Sequence, residues 1–139
     1  MNSILILVVI IILGIANAAY LYWQGLEKQS HGRPMVCLIG AECEKVVFSR
    51  FGTTLGIKNE IFGLFYYFSL LVLVAIIFFL PQFSGIVVGL LLFSSGVALI
   101  FSTYLLFLQI LVLRDYCSWC ILATFINYAI LGAEVLFLF

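Results

Sequence analysis

IFGLFYYFSLLVLVAIIFFLPQFSGIVVGLLLFSSGVALIFSTYLLFLQILVL, residues 61–113, runs without a single charged side chain. As one helix, at about 1.5 Å per residue, this stretch would be roughly 80 Å long. A bilayer core is only about 30 Å thick and takes about 20 helical residues. The stretch carries its own division in Pro81-Gln82-Phe83-Ser84-Gly85, a helix breaker followed by a permissive turn residue. It therefore predicts two crossings, about 61–80 and 85–113, joined by a tight turn. The second exceeds the need of one crossing and is expected to tilt or to project.

The same arithmetic applies on either side. Residues 1–26 carry no charge, nine charged residues crowd Glu27–Glu60, then come Arg114, Asp115 and finally Glu134. The first crossing is expected at about 3–24, closing in Tyr22-Trp23-Gln24, an aromatic belt followed by polarity. The last is expected at about 117–138. Continuous apolar runs, rather than alternation, exclude a transmembrane β-barrel. The chain is 66% apolar and 9% charged, against about 45–50% and 25% in a soluble domain. That excludes a water-soluble globule and a disordered chain alike. A net charge of 0 gives no electrostatic footprint for nucleic acid.

The expected fold is thus all-α: a four-transmembrane-helix bundle over 1–139, a single membrane domain with both termini on one side. Ala16-Asn17-Ala18 has the small-x-small form of a signal-peptidase site. No positive n-region precedes it, however, and the apolar run continues through Trp23, so the segment reads as a retained crossing. The one substantial region outside the membrane is 25–60. Within it Val46, Val47, Phe48 and Phe51 make an apolar stripe, predicting a short interfacial helix over the bundle end. Gly52, Thr53-Thr54 and Gly56 break that helix. Gly85 and Gly89, at i and i+4, are either a close-approach face or chance glycines of a membrane helix.

Four cysteines define the chemistry. Cys37 and Cys43 lie in the first connection, and Cys117 and Cys120 open the last helix. With four crossings, the first and third connections share one side of the membrane, so all four sulfurs gather at one face. Cys117-Ser-Trp-Cys120 places i and i+3 on one helix side. At a helix start, the unpaired N–H groups and positive dipole end favour a thiolate. Cys120 lies a turn deeper, positioned for a lipid-soluble oxidant, and Cys117 faces the loop pair. Cys37 and Cys43, separated by five residues in a loop, can close a small disulfide. Two pairs in series make an exchange relay through mixed disulfides. Cys43, near the bundle, is the better partner for Cys117, which leaves Cys37 to meet an outside dithiol. The final acceptor must be apolar and take two electrons, as a membrane quinone does.

Other readings of the same residues stay open. The cysteines could form two inert disulfides or a zinc site, with His31 in place of one thiolate, on a membrane scaffold without turnover. Only one of the two pairs has the two-to-four spacing that zinc sites use. Asn59 can donate to a quinone carbonyl at the mouth of an apolar helix, or simply cap the second helix. Gln109 and Asn127 read as interhelical hydrogen-bonders, and Glu134 as a side chain that snorkels to the interface.

Taken together, these residues resemble the vitamin K epoxide reductase family, specifically its stand-alone prokaryotic members, over nearly the whole chain. The carriers are Cys37 and Cys43, Ser49 six residues later, Asn59-Glu-Ile-Phe-Gly63-Leu-Phe-Tyr opening the second helix, and Asp115-Tyr-Cys117-Ser-Trp-Cys120 opening the fourth. The other bacterial quinone-linked, disulfide-forming membrane family has its CxxC in the earlier loop, the reverse order. The resemblance implies a bundle around a quinone with the CxxC as redox centre. It implies that Cys37, Cys43, Cys117 and Cys120 are catalytic and that Ser49 supports the relay. It also implies that Asn59 hydrogen-bonds the quinone carbonyl and that Cys120 forms a transient adduct with it, with Phe62 and Thr124 completing the cofactor contacts. Vertebrate members carry tyrosine where this chain has Thr124. That departure points away from vitamin K epoxide and toward a respiratory quinone of the menaquinone or ubiquinone type. The implied partner is a thioredoxin-like, disulfide-carrying protein.

The side of the membrane is set by two opposing arguments. Lys28, Arg33, Lys45, Arg50, Lys58 and Arg114 all lie on the cysteine face, and the positive-inside rule places that face in the cytoplasm. Prokaryotic relatives are expected to face outward. Because cytosolic disulfides occur in hyperthermophiles, the basic residues favour an inverted, cytoplasm-facing arrangement.

Overall fold

In the computed structural model, residues 2–31, 53–54, 57–113 and 118–138 are described. Four helices dominate: α1 (Asn2–His31), α2 (Asn59–Phe79), α3 (Ser84–Phe107) and α4 (Ser118–Leu138). Each is long and apolar enough to cross a membrane. They close a ring in which α1 packs on α2 and α4, and α3 packs on both of those. The all-helical, four-crossing expectation is met. The interfacial helix and the loop cysteines lie outside the described residues.

The Pro81 turn forms as the sequence demands. Leu80 N–H donates to the Ile76 carbonyl at 2.8 Å, and Phe83 N–H donates to the Leu80 carbonyl at 3.1 Å. Pro81–Phe83 makes one 3-10 turn that feeds directly into α3. Proline fits there because its missing N–H falls at the helix start, where no intrahelical partner exists. Among the described residues, a two-stranded ribbon also forms, in which Thr53–Thr54 pairs antiparallel with Ile57–Lys58, in register Thr53 to Lys58 and Thr54 to Ile57. Three of its four residues are β-branched, and β-branched residues suit a pleated strand.

The bundle is packed at one end and hollow at the other. Leu7 and Ile11 of α1, Leu70 and Val74 of α2, Val87 and Leu91 of α3, and Ile130 and Ala133 of α4 form the core. In up-down order these positions all lie in the half nearest the Pro81 turn. Closest approach occurs at Gly14, where an added Cβ would lie 2.7 Å from the Tyr67 ring. Gly85 and Gly89 instead face open space, so they are not the close-approach pair. The lipid-facing surfaces of α2 and α3 explain this, since neither glycine points at a neighbouring helix.

The length of the third crossing is accommodated at its end. α3 passes into a π-helical segment, Leu108–Leu113. A π segment commonly sits at a functional site. This one carries Gln109, which is buried.

Candidate functional site

The half of the bundle that holds Cys120 encloses a cavity of about 590 Å³ lined by all four helices. Ligand sites typically span about 300–1,000 Å³. The walls are mainly apolar, and Phe62, Phe65, Phe93 and Phe101 supply aromatic surface. Phe65 and Phe93 are also among the exposed residues on the outer surfaces of α2 and α3. The cavity therefore reaches the lipid-facing surface between those two helices.

Cys120, Asn59, Phe62 and Thr124, all expected from the sequence, line this one cavity. Asn59 is the first residue of α2 and lines the cavity. The Thr124 hydroxyl donates to the Cys120 carbonyl at 3.2 Å. That bond leaves the short Thr124 side chain lying along its own helix, with its methyl group available to the cavity. Cys37, Cys43, Ser49 and Cys117 lie outside the described residues. Among the described residues no three His, Cys, Asp or Glu side chains gather into a metal-binding cluster.

The start of α4 is fixed to α1 by two kinds of contact. The Asn17 side-chain N–H donates to the Trp119 carbonyl at 3.0 Å. The Trp119 ring meets the Tyr20 ring edge-on, centroids 5.1 Å apart, and Tyr20 stacks on Trp23 at 6.0 Å. Aromatic pairs in these geometries contribute about 0.5–1.5 kcal/mol beyond area burial. Trp119 adjoins Cys120, so these contacts set where that sulfur enters the cavity. Asn17 Oδ1 is buried and has no hydrogen-bond partner among the described residues. An acceptor of this kind suits a ligand that brings its own hydroxyl or N–H.

Two polar chains lead from the cavity toward the apolar core, the second reaching the level of Ala133. The Tyr67 hydroxyl donates to Asn127 Oδ1 at 2.7 Å, and the Asn127 side-chain N–H donates to the Ser102 hydroxyl. This chain joins α2, α4 and α3. A second chain joins the same helices: the Tyr66 hydroxyl donates to the Ser95 hydroxyl at 3.2 Å, which donates to Glu134 Oε1 at 2.7 Å. Asn127 is thus an interhelical hydrogen-bonder, as expected. Glu134 does not snorkel. It has no exposed surface, because Ser95 on the neighbouring helix supplies a donor inside the bundle.

Sequence reasoning missed Asn17, Tyr66, Tyr67, Ser95 and Ser102. Asn17 had a signal, since an amide in the middle of a crossing is costly unless it has a partner. Tyr66 closes the motif that opens α2 and Tyr67 follows it, but only the fold shows that their hydroxyls turn inward.

The arrangement matches a flat, apolar ligand with polar oxygens. It has an apolar cavity open to lipid, a cysteine at the wall, and amides from Asn59 and Asn17 at the polar end. A search of curated protein sequences finds no match. The vitamin K epoxide reductase family model matches residues 5–135, nearly the whole described bundle with its cavity and Cys120. The chain belongs to the vitamin K epoxide reductase family, a family of quinone-linked thiol–disulfide oxidoreductases in the membrane.

Proposed function

We propose that this protein generates protein disulfides by passing electrons from a thioredoxin-like partner to a respiratory quinone. The observation that carries the reading is the single cavity that holds both Cys120 and Asn59 and reaches the lipid between α2 and α3. A lipid-soluble oxidant can enter there without crossing water.

The residues divide the work. The partner's dithiol reduces Cys37–Cys43 by thiol–disulfide exchange, with Cys37 as the sulfur attacked from outside. Cys43 then exchanges with Cys117, and Cys117–Cys120 is left as a dithiol. Ser49 supports this exchange at the loop. A quinone bound in the cavity would supply a two-electron, two-proton acceptor. Asn59 would donate a hydrogen bond to a quinone carbonyl and so favour the oxygen on which negative charge develops. Phe62 and Thr124, on the same cavity wall, would contact it. Trp119, clamped to Tyr20 and bonded to Asn17 through its carbonyl, positions Cys120. Thr124 in place of tyrosine leaves the wall above Cys120 without a phenol donor, which supports a menaquinone or ubiquinone type of acceptor rather than an epoxide.

Cys120→Ala abolishes quinone reduction. Cys37→Ala abolishes oxidation of the protein partner but leaves reaction with small dithiols, which reach the inner pair directly. Equal loss of both activities in the two variants refutes the division of roles. The basic residues support a cysteine face in the cytoplasm. A membrane-impermeant thiol reagent applied to intact cells is then excluded from Cys37, and labelling of Cys37 from outside overturns that orientation.

A further inference from the structure

We infer that Tyr66, Ser95 and Glu134 form a proton-exchange chain that serves the cavity from its floor, with Glu134 as the group that stores the proton. The inference rests on the quinone reading above and names how its protons are handled.

Glu134 is the only acidic or basic residue in the span 119–136. It is fully buried. An ionisable side chain at membrane depth is expensive and marks function by default, proton relays included. A structural cross-tie does not need one. Tyr67, Asn127 and Ser102 already join the same three helices with neutral groups.

The chain has the required continuity. Tyr66 lines the cavity, its hydroxyl meets Ser95 at 3.2 Å, and Ser95 meets Glu134 Oε1 at 2.7 Å. Both intermediate groups are hydroxyls, each able to accept one proton while giving up another. Glu134 Oε2 is buried and has no hydrogen-bond partner among the described residues. An oxygen without a donor is where a proton is most cheaply placed.

The balance closes. The Cys117–Cys120 dithiol gives two electrons and two protons, and reduction of a quinone to a quinol takes two of each. In delivery, the carboxyl turns its O–H toward Ser95 and the two hydroxyls reverse from the direction observed, and the Glu134 O–H bond then breaks as its proton passes to Ser95. The Ser95 proton passes to Tyr66, and the Tyr66 proton enters the cavity, leaving a carboxylate. In return, a proton released by thiol oxidation enters at Tyr66 and moves through Ser95 to Glu134, the direction in which the hydroxyls now point. Over a full cycle Glu134 is unchanged. Tyr66 is the member that faces the reacting atoms, and Ser95 and Glu134 act through it.

The test uses the full chain in lipid nanodiscs with a dithiol and a naphthoquinone. Time-resolved infrared difference spectra, taken during a single turnover against the resting protein, are expected to show transient loss of a carboxyl C=O band, absent in Glu134→Gln. Gln keeps an acceptor for Ser95, so this variant preserves the bundle. Tyr66→Phe retains the carboxyl but uncouples it, so the band no longer responds to the acceptor. Quinone reduction falls in both variants by on the order of a hundredfold or more, as for a lost general acid. In both the solvent isotope effect changes, which a packing defect alone does not produce. If the wild type reduces quinone with no carboxyl band, or Glu134→Gln reacts at the wild-type rate, the relay is overturned and the quinone reading stands. If no quinone is reduced by the wild type, the quinone reading fails and the relay falls with it.

Discussion

Gly14→Ala tests whether the cavity floor is as tightly built as its hydrogen bonds indicate. An added Cβ at Gly14 would lie 2.7, 2.8 and 2.9 Å from three atoms of the Tyr67 ring. Ordinary contact begins near 3.4 Å, so the ring or the helix must move by about 0.7 Å. The ring has little room, being 2% exposed and anchored to Asn127 by a 2.7 Å bond. Overpacking of this kind costs about 1–3 kcal/mol. If the ring yields, the Tyr67–Asn127 bond lengthens past its useful range, adding about 1–3 kcal/mol for a buried group left unpaired. Alanine recovers about 1 kcal/mol of helix propensity over glycine. The net expectation is a loss of about 1–5 kcal/mol, read as a lowered unfolding midpoint in nanodiscs together with weakened quinone binding. Gly89→Ala is the matched control. Its Cβ would meet nothing within 4 Å, so propensity alone acts and the midpoint holds or rises. Equal behaviour of the two variants refutes the packing described between α1 and α2.

Other outcomes follow from the same geometry. Tyr67→Phe removes the donor to buried Asn127 Oδ1 and lowers stability by about 1–3 kcal/mol, measurable by chemical denaturation in detergent. Asn17→Ala frees the start of α4 from α1. It should slow quinone reduction more than it lowers the unfolding midpoint, since the Trp119 stacking remains to hold the fold. Phe65→Trp and Phe93→Trp, at the opening between α2 and α3, should narrow lateral access. Both should raise KM for a long-tailed quinone while leaving that for a short-tailed one unchanged.

The fold was legible because the bilayer reduces the problem to counting. A neutral run of residues 61–113 cannot be one crossing, and Pro81 is the residue that divides it. The pairing of Thr53–Thr54 with Ile57–Lys58 and the π segment at Leu108–Leu113 were not legible, since two-residue strands are too short to show an alternating pattern and nothing in an apolar run marks a π turn. The site was legible where residue type and position speak together. Cys120 follows from the CxxC, and Asn59 from an amide at a helix mouth. Glu134 was misread because sequence alone does not say which way a polar side chain in an apolar helix turns. Its inward course depends on Ser95, which reaches it only after α3 and α4 pack. Gly85 and Gly89 show the same limit: their spacing left close approach and chance glycines both open, and the structure bears out the second, with Gly14 and Tyr67 making the close approach.

The central claim is that electrons from the cysteine pairs leave through a quinone in the cavity beside Cys120. It is tested most directly by counting free thiols by mass spectrometry on the reduced, purified protein under anaerobic conditions. The count is made before and after addition of benzoquinone-class and naphthoquinone-class acceptors. The account predicts loss of all four thiols with quinol appearing in step, and no such loss in Cys120→Ala. Thiols that stay free with both classes of acceptor, or quinol that forms equally well in Cys120→Ala, would contradict it.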